Sequence, residues 1–154
     1  MSVTPLWTSM AMAEAMRASI NGELPEAVSG LSIDSRTIAP GDAYFAIKGD
    51  VHDGHDFVAA ALKAGAALAV VETAQRDKFA PDAPLLVVVE DVLAGLVDLA
   101  RVARARLSAQ VVAVTGSVGK TSTKEALRRV LGAQGETHAS AASFNNHWGV
   151  PLSL

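Results

Sequence analysis

Val111-Val112-Ala113-Val114-Thr115-Gly116-Ser117-Val118-Gly119-Lys120-Thr121-Ser122 is an apolar run that breaks into glycines and ends on Lys-Thr-Ser. Its four leading apolar residues predict a buried parallel strand, and the spacing of Lys120 to Leu131 predicts a helix. Thr115 to Ser122, lying between them, has the composition of a phosphate loop. Gly116 and Gly119 let the backbone turn tightly, so that the N–H groups of Thr115, Gly116, Ser117, Val118 and Gly119 can point inward. The helix beyond offers its positive N-terminus, Lys120 can reach terminal phosphates, and the Thr121 hydroxyl, beside Ser122, can sit on a magnesium ion. The pattern predicts a site for a nucleoside triphosphate, with ATP and Mg2+ as cofactors.

The general form of this motif has a glycine five residues before Gly119, where this chain has Val114, so only the shorter T-G-S-x-G-K-T-S remains. A Gly/Ser-rich turn without a ligand would share that composition. The order strand, loop, Lys-Thr, helix favours the phosphate loop.

The chain has 154 residues, half of them hydrophobic, which suffices for one good core or two small domains. A formal net charge of −3, with no basic stripe and interleaved aromatics, argues against a nucleic-acid partner and for a small one. The absence of cysteine excludes a disulfide framework and a thiolate metal site. No secretory signal and no membrane-spanning stretch stand out, so the cytoplasm is the expected compartment; a monomer is expected as well.

Upstream, Thr8 or Ser9 can cap a helix whose stripe is Met12, Met16 and Ile20, closed by Gly22 and Pro25. Val28 to Asp34 alternates roughly, and the turn Ala39-Pro40-Gly41-Asp42 leads into a strand over 43–47. Between them, Asp34-Ser35-Arg36 reads either as a ligand-facing strand end or as an exposed turn in which the aspartate pairs its own arginine. His52 and His55, with no third ligand at a helical spacing, are weak metal candidates, and Asp56 is expected to cap a helix over 57–64 that stops at Gly65. A short buried strand over 67–71 then completes a crossover. Residues 73–84 are polar and their last part predicts a linker, 85–89 a further strand, and Asp91 the cap of a long helix with Leu93, Leu96, Val97, Ala100, Ala103 and Leu107 on one face. After the loop, Leu127, Val130 and Leu131 are the expected buried residues. Residues 136–140 could form another strand, and Pro151 suits a first helical turn. The sequence is expected to stop inside an element.

With these pieces placed, essentially the whole chain resembles the N-terminal part of the Mur ligases, ATP-dependent enzymes that add amino acids to the peptidoglycan precursor. The resemblance rests on Asp34-Ser35-Arg36, Pro40-Gly41-Asp42, Asp53-Gly54-His55-Asp56-Phe57, Gly65-Ala66 and Thr115 to Ser122. Lys124-Glu125 and Asn145-Asn146-x-x-Gly149-Val150-Pro151 resemble the branch that adds D-alanyl-D-alanine to UDP-N-acetylmuramoyl-tripeptide. The branch adding the third amino acid shares the other motifs. The resemblance implies an α/β architecture: a small UDP-sugar-binding domain over residues 1–83, then the first part of a parallel-sheet ATPase domain over 84–154.

It implies further that Lys120 and magnesium at Thr121 neutralise the γ-phosphate of ATP on its way to the peptide carboxylate, giving an acyl phosphate that the incoming amine attacks. Ser35, Arg36 and Lys48 become candidates for the UDP-sugar, and Asn145 and Asn146 match a motif facing the cleft. Family members also have a longer central domain, with further magnesium ligands and a carbamylated lysine, and a C-terminal dinucleotide-fold domain. Neither is matched here, so the chain alone is expected not to turn over and to expose apolar surface. The reading from a different class is a non-catalytic module that binds a UDP-sugar or nucleotide.

Overall fold

The computed structural model describes residues 5–88, 91–140 and 149–153. Contacts divide the chain into two units, Met1–Val102 and Ala103–Leu154.

The first unit begins with strand β1 (Trp7–Thr8) and helix α1 (Ser9–Met16). Thr8 caps the helix, its Oγ1 accepting from the Ala11 N–H at 3.2 Å, and Met12 and Met16 are buried as the four-residue spacing predicts. The helix ends sooner than that spacing suggests. Arg17 takes a left-handed conformation, φ 52°, and donates back to the Ala13 and Glu14 carbonyls. Ile20 therefore lies in strand β2 (Ser19–Asn21), half exposed, and is no part of the helical stripe.

The elements that follow are β3 (Ala27–Val28), β4 (Gly30–Ser32), β5 (Asp42–Phe45), a 3-10 turn at Gly54–Phe57 and α2 (Val58–Ala64). Then come β6 (Leu68–Glu72), a second 3-10 turn at Thr73–Lys78, β7 (Leu85–Val88) and α3 (Val92–Arg106). β1 and β3 pair antiparallel as a small ribbon, and the main sheet runs β2-β7-β6-β5-β4. Of its four pairings three are parallel, and the edge strand β2 lies antiparallel on β7.

Tyr44, Ala69 and Leu85 stand in one register row and pack with Val58 and Ala61 of α2. Phe45, Val70 and Leu86 form the next row, on the opposite face, and are fully buried too. Both faces are covered, which is why these strands read as continuous apolar runs. Gly65 ends α2 as expected, its N–H reaching Ala61 and Leu62. Asp91 caps α3 through its Oδ1 to the Ala94 N–H at 2.6 Å. The buried stripe of α3 is Val92, Gly95, Leu96, Leu99 and Ala100, rotated from the expected one, so only Leu96 and Ala100 were on the anticipated face.

β7 alters the expected division of the chain. The prolines and charges of 73–84 place Leu85 beyond a boundary at 83/84, yet Leu85–Val88 pairs with both β6 and β2 and completes the first sheet. The polar stretch is a connection within the first unit.

The second unit contains α4 (Lys120–Gly132) and α5 (Gly149–Leu152), with Pro151 inside α5. Residues 111–114 form no strand, contrary to the sequence pattern, and Val111 and Val112 are 50% and 59% exposed. A strand needs a ladder partner for its N–H and C=O groups, and among the described residues of this unit there is none. Residues 136–140 lack strand structure for the same reason. α4 is helical where expected but buries no residue, leaving Val130 and Leu131 exposed.

Candidate functional site

In the second unit, Gly119 stands immediately before α4 with φ 80°, a conformation that favours glycine, and Gly116 lies at φ 147°. The first intrahelical bond joins the Thr123 N–H to the Gly119 carbonyl at 2.9 Å. The amides of Lys120, Thr121 and Ser122 precede that bond, and among the described residues no side chain caps the helix. They form the positive end of a 13-residue helix. Lys120 folds back across the loop, its Nζ donating to the Gly116 carbonyl at 2.6 Å. Thr115 to Ser122 thus forms a glycine-hinged curl with a cation across its mouth and uncapped amides at its base.

Beyond the loop, Lys124 Nζ bonds the Ser140 carbonyl at 2.7 Å and lies 3.1 Å from Glu125, which also meets Arg128 at 2.9 Å. Hydrogen bonds from Arg128 and Lys124 hold the Glu125 carboxyl below its ordinary value. Asn145 and Asn146 lie outside the described residues.

In the first unit the candidates gather at the carboxyl edge of the parallel strands, where ligands enter open α/β sheets. Asp34, Ser35 and Arg36 follow β4, and Lys48 follows β5. Arg36 makes a forked pair with Asp34, Nε to Oδ1 at 2.9 Å and NH2 to Oδ2 at 2.6 Å. The side-chain and main-chain hydrogen bonds from Arg36 pull the Asp34 carboxyl down to about 2. This is the turn in which the aspartate pairs its own arginine, one of the two readings of Asp-Ser-Arg. Pairing does not remove Arg36 from ligand reach, since its side chain is 86% exposed.

Lys48 is exposed, and its backbone bridges to Asp53. Tyr44 donates to the Gly54 carbonyl at 3.0 Å, and its hydroxyl is pushed up to about 12 by burial and by the charges of Asp34 and Asp53. The Asp34 turn follows β4 and the Asp53 loop follows its parallel neighbour β5, so both lie at the same end of the sheet.

His52 and His55 do not form a metal pair, and among the described residues no group of three His, Asp or Glu could hold a metal ion. His55 is instead buried, its Nδ1 2.6 Å from Asp53 Oδ1 and its Nε2 accepting from the Glu72 N–H at 3.1 Å. The cap here is Asp53, accepting from the His55 N–H at 3.0 Å; Phe57, without a side-chain cap, precedes α2, so the expected role of Asp56 is not taken up. The signal in the sequence was an aspartate two residues before a histidine, an Asx-turn spacing. Among the described residues no helix is long and apolar enough to cross a membrane.

A family profile described as "Mur ligase family, catalytic domain" matches residues 27–110, and "Mur ligase middle domain" matches residues 114–154. The chain belongs to the Mur ligase family. Among curated Mur ligases it is 35% identical over 130 residues to the UDP-N-acetylmuramoyl-tripeptide–D-alanyl-D-alanine ligase of Bacillus subtilis, covering 82% of this chain and 27% of that protein. It is 39% identical over 138 residues to the ligase of the same name from Escherichia coli, covering 88% of this chain and 29% of the relative.

Among solved structures, MurF from Acinetobacter baumannii superposes with a TM-score of 0.79 at 31% identity, over 100% of this chain and 34% of that one. MurF from Thermotoga maritima in complex with ADP gives 0.68 at 35% identity, over 80% and 28%. The chain spans about a third or less of the length of these relatives. The α/β class with a parallel sheet agrees with these neighbours.

Proposed function

We propose that this chain carries the UDP-sugar-holding and phosphate-binding elements of an ATP-dependent ligase that adds D-alanyl-D-alanine to UDP-N-acetylmuramoyl-tripeptide. The observation that carries the proposal is the curl at Gly116–Gly119, with Lys120 across it and uncapped amides beneath. The relatives' names supply the substrates, and the Thermotoga neighbour, solved with ADP, supplies the nucleotide.

In this reading the amides of the loop and of the first turn of α4 bind β- and γ-phosphate oxygens, and Lys120 exchanges the Gly116 carbonyl for a phosphate oxygen. The residues fit a magnesium ion: Thr121 stands in the exposed first turn of α4, and its hydroxyl has no hydrogen-bond partner among the described residues. A magnesium ion there would draw charge from the transferring phosphoryl group. Lys120 does the same from the other side, favouring transfer to the peptide carboxylate and an acyl phosphate for the amine to attack. In the first unit Arg36 and Lys48 offer cations to the diphosphate, and Ser35 a hydroxyl to the uracil or diphosphate. Asn145 and Asn146 belong to the substrate side. Work in the cytoplasm, as a monomer, is part of the same proposal.

A second reading, a UDP-sugar-binding module without catalysis, draws on the gathering of Asp34, Ser35, Arg36 and Lys48 after the parallel strands β4 and β5. Titration with UDP-N-acetylmuramoyl-tripeptide tests the shared part: saturable binding to the chain, weakened by Arg36→Ala, is expected, and binding indifferent to that substitution would refute the site. The ligase reading expects the reading frame to run past Leu154. A stop codon there, with tight UDP-sugar binding, favours the module. Offering D-alanyl-D-alanine and the diamino acids to the ligase separates it from the branch adding the third residue.

A further inference from the structure

Asp53, His55 and the main-chain N–H of Glu72 form a polar chain centred on a buried imidazole, for which binding and phosphate chemistry have no use. The His55 side chain is wholly buried, at 0% exposure. Its Nδ1 lies 2.6 Å from Asp53 Oδ1, and its Nε2 receives the Glu72 N–H at 3.1 Å. Only a neutral imidazole with its proton on Nδ1 satisfies both contacts, because a proton on Nε2 would set two donors face to face.

Burial pushes the Asp53 carboxyl up, but its hydrogen bonds to the His55 main chain and ring outweigh that and bring it below its ordinary value. The imidazole therefore ties the loop after β5 to the end of β6, across 17 residues of sequence. That loop carries Lys48, whose backbone bridges to Asp53. Gly49 N–H to His52 O at 2.9 Å, Gly54 N–H to Ile47 O at 3.0 Å and the Tyr44 hydroxyl to Gly54 O at 3.0 Å close the rest.

We propose that His55 is a positioning residue. Held by Asp53 on one nitrogen and by the Glu72 main chain on the other, it fixes the Lys48–Asp53 loop so that Lys48 stands at the carboxyl edge with the Asp34–Arg36 turn, facing a diphosphate. The proposal rests on the UDP-sugar reading of that edge. A histidine that merely filled space would be replaceable by any side chain of its volume. A positioning one would not.

The test uses the 154-residue chain with UDP as the probe. His55→Leu keeps the volume and removes both bonds. Asp53→Asn keeps an oxygen for the His55 N–H and Nδ1–H. His55→Leu is expected to weaken UDP binding and to speed exchange of the Gly49 and Gly54 amides by about tenfold each, the scale of one lost buried hydrogen bond, with the Ala69 amide in β6 unchanged. Asp53→Asn should stay within about twofold of the unsubstituted chain in both, since it retains the acceptor. Nitrogen-15 spectra should show the His55 proton on Nδ1.

Gly49 and Gly54 exchange that is unchanged by His55→Leu, exchange that rises equally throughout the sheet, or a proton on Nε2 would each overturn the proposal. If the unsubstituted chain does not bind UDP, the sugar-site reading fails. Loop exchange and the tautomer still decide whether His55 positions the loop.

Discussion

Gly119 offers a clean perturbation of the phosphate loop because space and backbone angle can be separated there. A Cβ added at Gly119 would meet nothing within 4 Å, so Gly119→Ala creates no clash. The residue sits at φ 80°, however, and an L side chain in the left-handed region costs about 1–2 kcal/mol. If the loop keeps this shape only when it grips phosphate, the whole cost falls on binding, which lowers ADP or ATP affinity about 5- to 30-fold.

Gly132 is the control. A Cβ there also meets nothing within 4 Å, but the residue is helical, in the last position of α4. Alanine in a helix is favoured over glycine by about 0.5–1 kcal/mol, so Gly132→Ala should raise helicity and leave affinity alone. Equilibrium nucleotide titration with circular dichroism of each variant gives both numbers. Equal nucleotide affinity in Gly119→Ala and the unsubstituted chain would refute the claim that the left-handed turn shapes the anion site.

Other outcomes follow from the same structure. Protease should trim Ala103–Leu154 well before Met1–Val102, because α4 buries nothing while the first sheet is covered on both faces; equal rates of digestion would contradict this. Leu86→Ala, in the fully buried row with Phe45 and Val70, should cost about 2–5 kcal/mol in urea unfolding of the first unit, and a loss under 1 would mean the site collapses freely. Asp34 should titrate at about 2 by carbon-13 chemical shift, and Arg36→Ala should return it towards 3.8. Because that carboxyl is lowered on folding, the pair's contribution is present above the unfolded value and fades as pH falls from near 4 through 2. A titration unaltered by Arg36→Ala would show that the arginine is not the cause.

Local signals in the sequence translated well. Thr8 and Asp91 cap, Gly65 terminates, Met12 and Met16 pack, and Gly119 turns into α4, each decided within a few residues. Three of the misreadings turn on pairing across distance. Ile20 continues the α1 spacing, but the left-handed Arg17 breaks the helix and β7, more than sixty residues on, recruits Ile20 as an edge strand. Leu85–Val88 follows a linker-like stretch and so looks like a new beginning, although its register partners are Ala69 to Glu72. Val111 to Val114 has strand composition without a ladder to join among the described residues of its unit.

The site divides in the same way. The loop of Thr115 to Ser122 is contiguous, so its turn at Gly119 into α4 was legible from neighbouring residues. The Asp53–His55–Glu72 chain was not, because half of it is a main-chain N–H from another strand.

Titration of the chain and of Lys120→Ala with ATP in the presence of magnesium is the most direct measurement of the central claim. Saturable binding that falls about ten- to a hundredfold on losing one charge-assisted hydrogen bond, with UDP binding untouched, is the predicted result. An ATP affinity identical in the two proteins would contradict it.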